Sequence, residues 1–400
     1  VQRALIYDAI RTPRGKAKAN GGLAALSSFE LLKTLYTAIV TRNGLDPRLV
    51  GEVILGCVTQ HGEQAGNIAK ASTLYAGWPS AVSGLTVTRF CSSGLDAINI
   101  AALKVMTGQE SVAVAGGVEM MSRVPMLSDK AAIFLDPEVA LAARILLMGS
   151  GADLIASLYD ASREAVDRIA LQSHQRAALA RDEGYFSSIV AIDNPVTGLR
   201  IAQDECIRSQ TTMASLARLP ASFTAIGEAG ADALQCQGYP ALKTIDHVHT
   251  AGNSPAMADG AALLLIGNEE LARHLDSPPR GIIKAMVNAC DDPLLVLSGC
   301  VSATEKLLTS QGLTVDDIDL FEVHEAFAAT MIKCQADLGI ASEKLNVNGG
   351  VIALGHPLGA TGAMMMGTLL DELERRNQRL GVVATSGAAG SGTAILIERL

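Results

Sequence analysis

The stretch LTVTRFCSSGLDAINIAALKVMTGQESVAVAGG, residues 85–117, reads as strand, turn, helix and strand in direct succession. Leu85 to Phe90 is β-branched and apolar. Cys91-Ser-Ser-Gly94 breaks it, and an alanine-rich helical pattern runs to about Met106. Ser111 to Ala115 is a second strand, closed by Gly116-Gly117. Upstream, Ala4 to Ala9 reads as a strand, Phe29 to Val40 as a helix and Glu52 to Cys57 as a strand. This alternation predicts an α/β protein with a mostly parallel sheet and helices on its faces.

The rhythm stops between about Met120 and Thr250. A helix is expected there from about Arg163 to Glu183, with the charged run Gln203-Asp-Glu-Cys-Ile-Arg208 after it. Long excursions from strand ends commonly grip ligands. Ala261 to Ile266 returns as a strand, and the pattern repeats. Gly281 to Val287, Asp319 to Val323, Leu345 to Val347, Gly381 to Thr385 and Ala394 to Glu398 read as strands. Ser302 to Ser310 and Gly362 to Arg375 read as helices. Two similar halves imply an internal duplication. The turn at Cys91 and the turn Gly355-His356-Pro357 then open matching helices, whose N-termini face one crevice suited to an anion or a developing oxyanion.

Bulk properties narrow the function. Of 400 residues, 49% are apolar and 18% charged, enough for a large core and against disorder. The net charge of −9 and the lack of basic blocks exclude nucleic acid as a natural partner. The cysteine count of seven is odd, and CxxC is absent, which points to a reducing compartment rather than disulfides or a zinc ribbon. The most apolar run, Val139 to Met148, is interrupted by Arg144, so the expectation is a soluble cytoplasmic protein without membrane insertion.

Four positions invite chemistry. A cysteine at a strand–helix turn gains thiolate character from the helix N-terminus, although the same position equally suits a buried structural thiol. His356 sits in Asn348-Gly-Gly-Val-Ile-Ala-Leu-Gly-His-Pro-Leu-Gly-Ala-Thr-Gly362, where five glycines permit close backbone approach. It can serve as base toward a thiol, or it can cap a turn. His324-Glu325 ends a strand and can orient a water or a carbonyl, or simply start a helix. His247-Val-His249 places two imidazoles on one face without an evident third ligand, so packing is favoured over metal. Met364-Met-Met366 reads as core.

Taken in order, Arg11-Thr-Pro-Arg-Gly15, Phe90-Cys-Ser-Ser-Gly94, Ala115-Gly-Gly-Val-Glu119, Ala251-Gly-Asn253, His324-Glu-Ala-Phe327 and Gly355-His-Pro-Leu-Gly-Ala-Thr-Gly362 resemble the thiolase family, along nearly the whole chain. The flavour is that of degradative 3-ketoacyl-CoA thiolases and oxidation-complex β-subunits. The resemblance implies two stacked βαβαβαββ halves in a layered α/β sandwich with an inserted loop domain. The corresponding boundaries are residues 1–119 plus 246–272, then 120–245 for the coenzyme A-binding loop domain, then 273–400. Coenzyme A would be a substrate, with no permanently bound cofactor and no metal. Acyl-CoA would be the partner of a homodimer or homotetramer, or of a subunit in a fatty-acid oxidation complex. By the same resemblance Cys91 forms the acyl-enzyme, His356 activates it, and His324 holds a water. The N–H groups of Cys91 and Ala388 form an oxyanion hole. Met148, Arg208, Phe223, Ser254, Ala326 and Phe327 fall at coenzyme A-contacting positions.

Three departures from the family pattern stand out: His324 replaces the usual asparagine, Pro255 replaces a serine, and Ser386 occupies the place of a second catalytic cysteine. A hydroxyl is a far weaker acid than a thiol, which titrates near pH ~8.5. Cys300 and Cys334 are candidate substitutes, with nothing in the sequence to place them at the site. The expected function is therefore thiolytic cleavage of 3-ketoacyl-CoA. Its alternatives are a divergent acyltransferase or C–C lyase with impaired thiolysis, and a non-catalytic acyl-CoA-binding subunit.

Overall fold

The structure, a computed structural model, describes residues 2–400. Strands β1 (Ala4–Arg11), β2 (Gly15–Lys16), β3 (Glu52–Gly56), β4 (Ser83–Val87) and β5 (Val112–Met120) precede the excursion. The excursion carries only the small ribbon of β6 (Ile192–Asp193) and β7 (Arg200–Ile201). Strands β8 (Ala258–Gly267), β9 (Gly281–Cys290), β10 (Leu320–Val323), β11 (Leu380–Ser386) and β12 (Ser391–Arg399) follow. The sheet order is β10-β11-β12-β9-β1-β8-β5-β3-β4, with β2 paired to β8.

Read outward from the β1–β9 junction, the two halves match. β1, β8 and β5 pair antiparallel, then β5, β3 and β4 pair parallel. Likewise β9, β12 and β11 pair antiparallel, then β11 and β10 pair parallel. The sheet is thus mixed, not mostly parallel as the alternation suggested. Four residues, Gly387 to Gly390, join β11 to β12, and a link that short cannot make the crossover a parallel pair requires. The expected strand at Leu345–Val347 is also absent. Leu345 makes a single parallel bridge to Phe321, and Asn346 adopts φ 45°. Its carboxamide does the pairing instead, accepting from Val323 N–H and donating to Val323 O, both at 2.8 Å.

Strand β8 shows how the layers form. Ala261, Leu263 and Leu265 pack with Leu31, Leu35 and Ile39 of the helix Ser28–Asn43 on the outer face. Ala262, Leu264 and Ile266 face inward, onto the helices Ser93–Thr107 and Thr361–Arg376. A strand buried on both faces reads as a continuous apolar run. The two inner helices also touch Ile283, Val383 and Ile395 of the second half, so they lie between the half-sheets. Met364, Met365 and Met366 are core, as the sequence suggested. Outside the second half, Val301, Leu307 and Met331 cover Phe321, Val382 and Leu396.

The excursion has its own small core, where Leu154, Ile155, Val166 and Leu216 meet Ala328 and Ala329. Its charged run is a docking staple. Asp204 pairs with Arg11 at 2.7 Å and with Arg14 at 3.5 Å, all three buried. Glu205 accepts from the N–H groups of Lys16 and Gly22, each at 2.9 Å. His247 and His249 both turn Nδ1 to the buried carboxylate of Asp153, at 2.9 and 2.7 Å, which is a packing role.

Candidate active site

The turn after β4 brings Cys91 to the start of the helix Ser93–Thr107. Phe90, immediately before it, takes φ 49°, a conformation costly for a bulky residue. Ser92 ties this turn to β11, donating from Oγ to Thr385 O at 3.2 Å. In the second half, Gly355 at φ 101° permits the bend that presents His356, whose N–H donates to Ala256 O at 2.8 Å. His324 follows β10 and donates its N–H to Ala384 O at 2.9 Å.

These three side chains share a cavity of about 400 Å³. Its wall is overwhelmingly apolar, from Phe90, Met126, Leu127, Ile133 and Phe134 on one group of segments to Met148, Leu297, Ala326 and Phe327 on another. The rings of His324 and His356 lie 4.5 Å apart. His356 Nδ1 is 2.6 Å from Thr361 Oγ1, which itself donates to Pro357 O at 3.2 Å. The threonine oxygen therefore accepts from Nδ1–H, which leaves the lone pair on Nε2. His324 Nδ1 lies 3.1 Å from Ser386 O, and a carbonyl only accepts, so its Nε2 also carries a lone pair.

Electrostatics hold all three groups neutral. Burial pushes the Cys91 thiol up to about 12, and the nearby Glu119 adds to this. The expected helix-dipole activation is outweighed: desolvating a thiolate costs more than one helix end returns. Burial lowers His324 to about 4. Burial first, then His324 and Arg14, hold His356 well below its usual range. Glu119 is buried and accepts from the N–H groups of Val58, Thr59 and Gly359 and from the Gln64 amide, at 2.9–3.0 Å. It thereby joins the ends of β3 and β5 to the His356 loop.

Of the residues singled out from sequence, Cys91, His324, His356, Ala388, Met148, Ala326 and Phe327 all line the cavity. Phe223 stands behind the wall, edge-on to Phe327 at 5.7 Å. Arg208 lies on His174, its backbone N–H donating to Nδ1 at 3.1 Å. Ser254 donates to Thr250 O at 2.7 Å. Ser386 is fully buried and absent from the cavity wall; its hydroxyl accepts from Cys300 N–H at 2.9 Å. Sequence reasoning missed Thr361, although it sits in the glycine-rich motif five residues after His356. It also missed the wall segment 126–134, whose irregular chain carries no periodic signal.

Models of known families match the chain as the thiolase N-terminal domain over residues 4–270 and the thiolase C-terminal domain over residues 277–399. The chain belongs to the thiolase family. It is 38% identical to a 3-ketoacyl-CoA thiolase of a Shewanella species and 37% identical to one of Aliivibrio fischeri, each aligned over 100% of both chains. Among solved structures it resembles the Bacillus anthracis acetyl-CoA acetyltransferase, with TM-score 0.86 and 32% identity. It also resembles human mitochondrial 3-ketoacyl-CoA thiolase, with TM-score 0.86 and 29% identity. Both alignments cover 100% of this thiolase and 99% of the other chain.

Proposed function

We propose that this thiolase cleaves a 3-ketoacyl-CoA with coenzyme A, giving acetyl-CoA and an acyl-CoA shortened by two carbons. The observation that carries this reading is the convergence of Cys91, His324 and His356 on one apolar cavity. His356 Nε2 takes the Cys91 proton, and the thiolate attacks the 3-keto carbon. The backbone N–H groups of Cys91 and Ala388 hold the resulting oxyanion; neither donates to another protein group among the described residues. The C–C bond then breaks, leaving the acyl group on sulfur and an acetyl-CoA enolate whose oxygen meets His356 and a water on His324. Coenzyme A enters as the second substrate, past Met148, Ala326 and Phe327. Phe223 backs that wall, and Arg208 and Ser254 are assigned to coenzyme A contact as part of the same reading. The loop domain that holds it is residues 120–245, between the halves 1–119 plus 246–272 and 273–400.

A cytoplasmic role in fatty-acid β-oxidation is part of the same reading. So is assembly as a homodimer or homotetramer, or within an oxidation complex. Strand β4 ends the sheet with one edge unpaired, and Leu74, Tyr75, Leu85 and Leu103 stand exposed, which supports pairing with a second copy. Among the described residues no helix is long and apolar enough to cross a membrane.

The test is mass spectrometry of the protein incubated with acetyl-CoA, together with acetyl-CoA release from 3-ketoacyl-CoA substrates. An acetyl adduct on Cys91 and steady turnover are expected, and Cys91→Ala should abolish both. Adduct formation elsewhere, or turnover surviving in Cys91→Ala, would refute the assignment.

A further inference from the structure

The thiolase reading leaves one proton unaccounted for. The acetyl-CoA enolate must gain a proton at its α-carbon, and Ser386 stands where relatives of this fold are expected to keep a thiol for that step. The Ser386 hydroxyl is turned away from the cavity, onto Cys300 N–H at 2.9 Å. Cys300 behind it is fully buried, and burial pushes its thiol up to about 11. Neither offers an acid to the substrate.

His324 does. It is 1% exposed and lines the cavity. Its Nδ1–H is fixed on Ser386 O, and its Nε2 is a buried polar atom without any partner. Buried polar groups are nearly always satisfied, so an orphan nitrogen in a substrate cavity marks a place where a ligand completes the bonding. Its ring lies 4.5 Å from that of His356, tilted by 47°.

We propose that, in this chain, His324 is the acid and base at the α-carbon, replacing the missing second thiol rather than only holding a water. The proposal rests on the thiolase reading and adds a catalytic residue to it. The protons balance within the site. His356 removes the Cys91 proton as the sulfur attacks. The electron pair of the breaking C–C bond passes to the enolate. The proton moves from His356 to the neighbouring His324 Nε2 and on to the α-carbon, and both imidazoles end neutral. In the second half-reaction the incoming coenzyme A thiol gives its proton to His356. Its sulfur displaces Cys91, and that proton returns to Cys91. Each half-reaction moves one proton: that of Cys91 leaves in the methyl group of acetyl-CoA, that of coenzyme A replaces it on Cys91, and no second cysteine is required.

The test compares two half-reactions. Exchange of the acetyl-CoA methyl protons in D2O reads the α-carbon step, and acetyl transfer to Cys91 reads the sulfur step. His324→Asn can still hold a water but cannot carry a proton. It should lower exchange by at least ~100-fold more than it lowers acetyl transfer, in keeping with the usual worth of a general acid–base. His324→Gln, checked by near-UV circular dichroism, repeats the measurement should the asparagine variant misfold. Equal loss in both half-reactions, or exchange that survives in both variants, would overturn the proposal. So would a comparable loss of exchange in Ser386→Ala alone. A wild-type protein that never acetylates Cys91 would refute the thiolase reading first and this proposal with it.

Discussion

At Cys91 two opposing effects meet at one sulfur atom. The helix start at Ser93 favours a thiolate, whereas burial beside Glu119 favours the thiol, and burial wins. In the proposed mechanism nucleophilicity then comes from His356, which has to be neutral to accept a proton. A base acts above its pKa and fails as pH falls through it. Because His324 is lowered to about 4 and His356 lies well below its usual range, the acid limb moves far below the ordinary histidine value of ~6.5. We expect kcat/KM to stay flat from about pH 8 down to about pH 5 and to fall only on approaching ~4. A steady-state pH profile with an inflection near ~6.5 would contradict the neutral pair. Cys91 and His324 were legible because each follows a strand, and His356 because it sits in a glycine-rich turn. The protonation state was not, because burial depends on the walls from distant segments. Thr361 was passed over for a related reason: a threonine after a glycine-rich turn looks like a helix start until its oxygen is found on His356 Nδ1.

Between elements, the site depends on how closely the two inner helices and β5 approach. A Cβ on Gly117 would fall 2.1 Å from Gly359 O and 2.8 Å from Gly56 O. Both obstacles are backbone, so no side-chain rotation relieves them. Gly117→Ala should therefore cost about 1–3 kcal/mol, as overpacking does. It should also displace Glu119, two residues on, and with it the His356 loop. Urea melts should show the loss, and kcat/KM should drop with it; an unchanged midpoint would mean the loop yields. The long strands were readable from their apolar runs, since a strand buried on both faces needs no polar alternation. The helix Met148–Leu158 was not, since Gly149, Ser150 and Gly151 give it poor intrinsic propensity. Tertiary packing forms it. Gly149 lies against the Phe223 ring and Gly151 against Leu295 O and Val296, approaches that only glycine allows.

For the whole molecule, the question is how an excursion of more than a hundred residues stays registered on a symmetric pair of half-sheets. Its own core is small, and the duplicated halves give it no counterpart to pair with. The buried triad of Asp204, Arg11 and Arg14 supplies a fixed point just behind the His356 loop. The run Gln203 to Arg208 had been visible in the sequence as charged, and charge in an excursion suggests a ligand surface. Only the fold revealed that Asp204 points inward, where Cys206 also packs beneath Gly355, while Arg208 stays exposed. Burial works to raise the Asp204 carboxyl, but Arg11 and Arg14 overcome it and hold it below the usual carboxylate range. A depressed carboxylate stabilises the fold above its unfolded pKa of ~3.9, and the contribution fades as pH falls through the folded value. Removing it leaves two guanidinium groups buried without an anion, which typically costs about 3–5 kcal/mol. Asp204→Ala should lose that much at pH 7 by urea denaturation, and the gap from wild type should narrow well below pH 4. A gap under about 1 kcal/mol, or one that does not change with pH, would mean that the excursion is held by its apolar contacts with Ala328 and Ala329 instead.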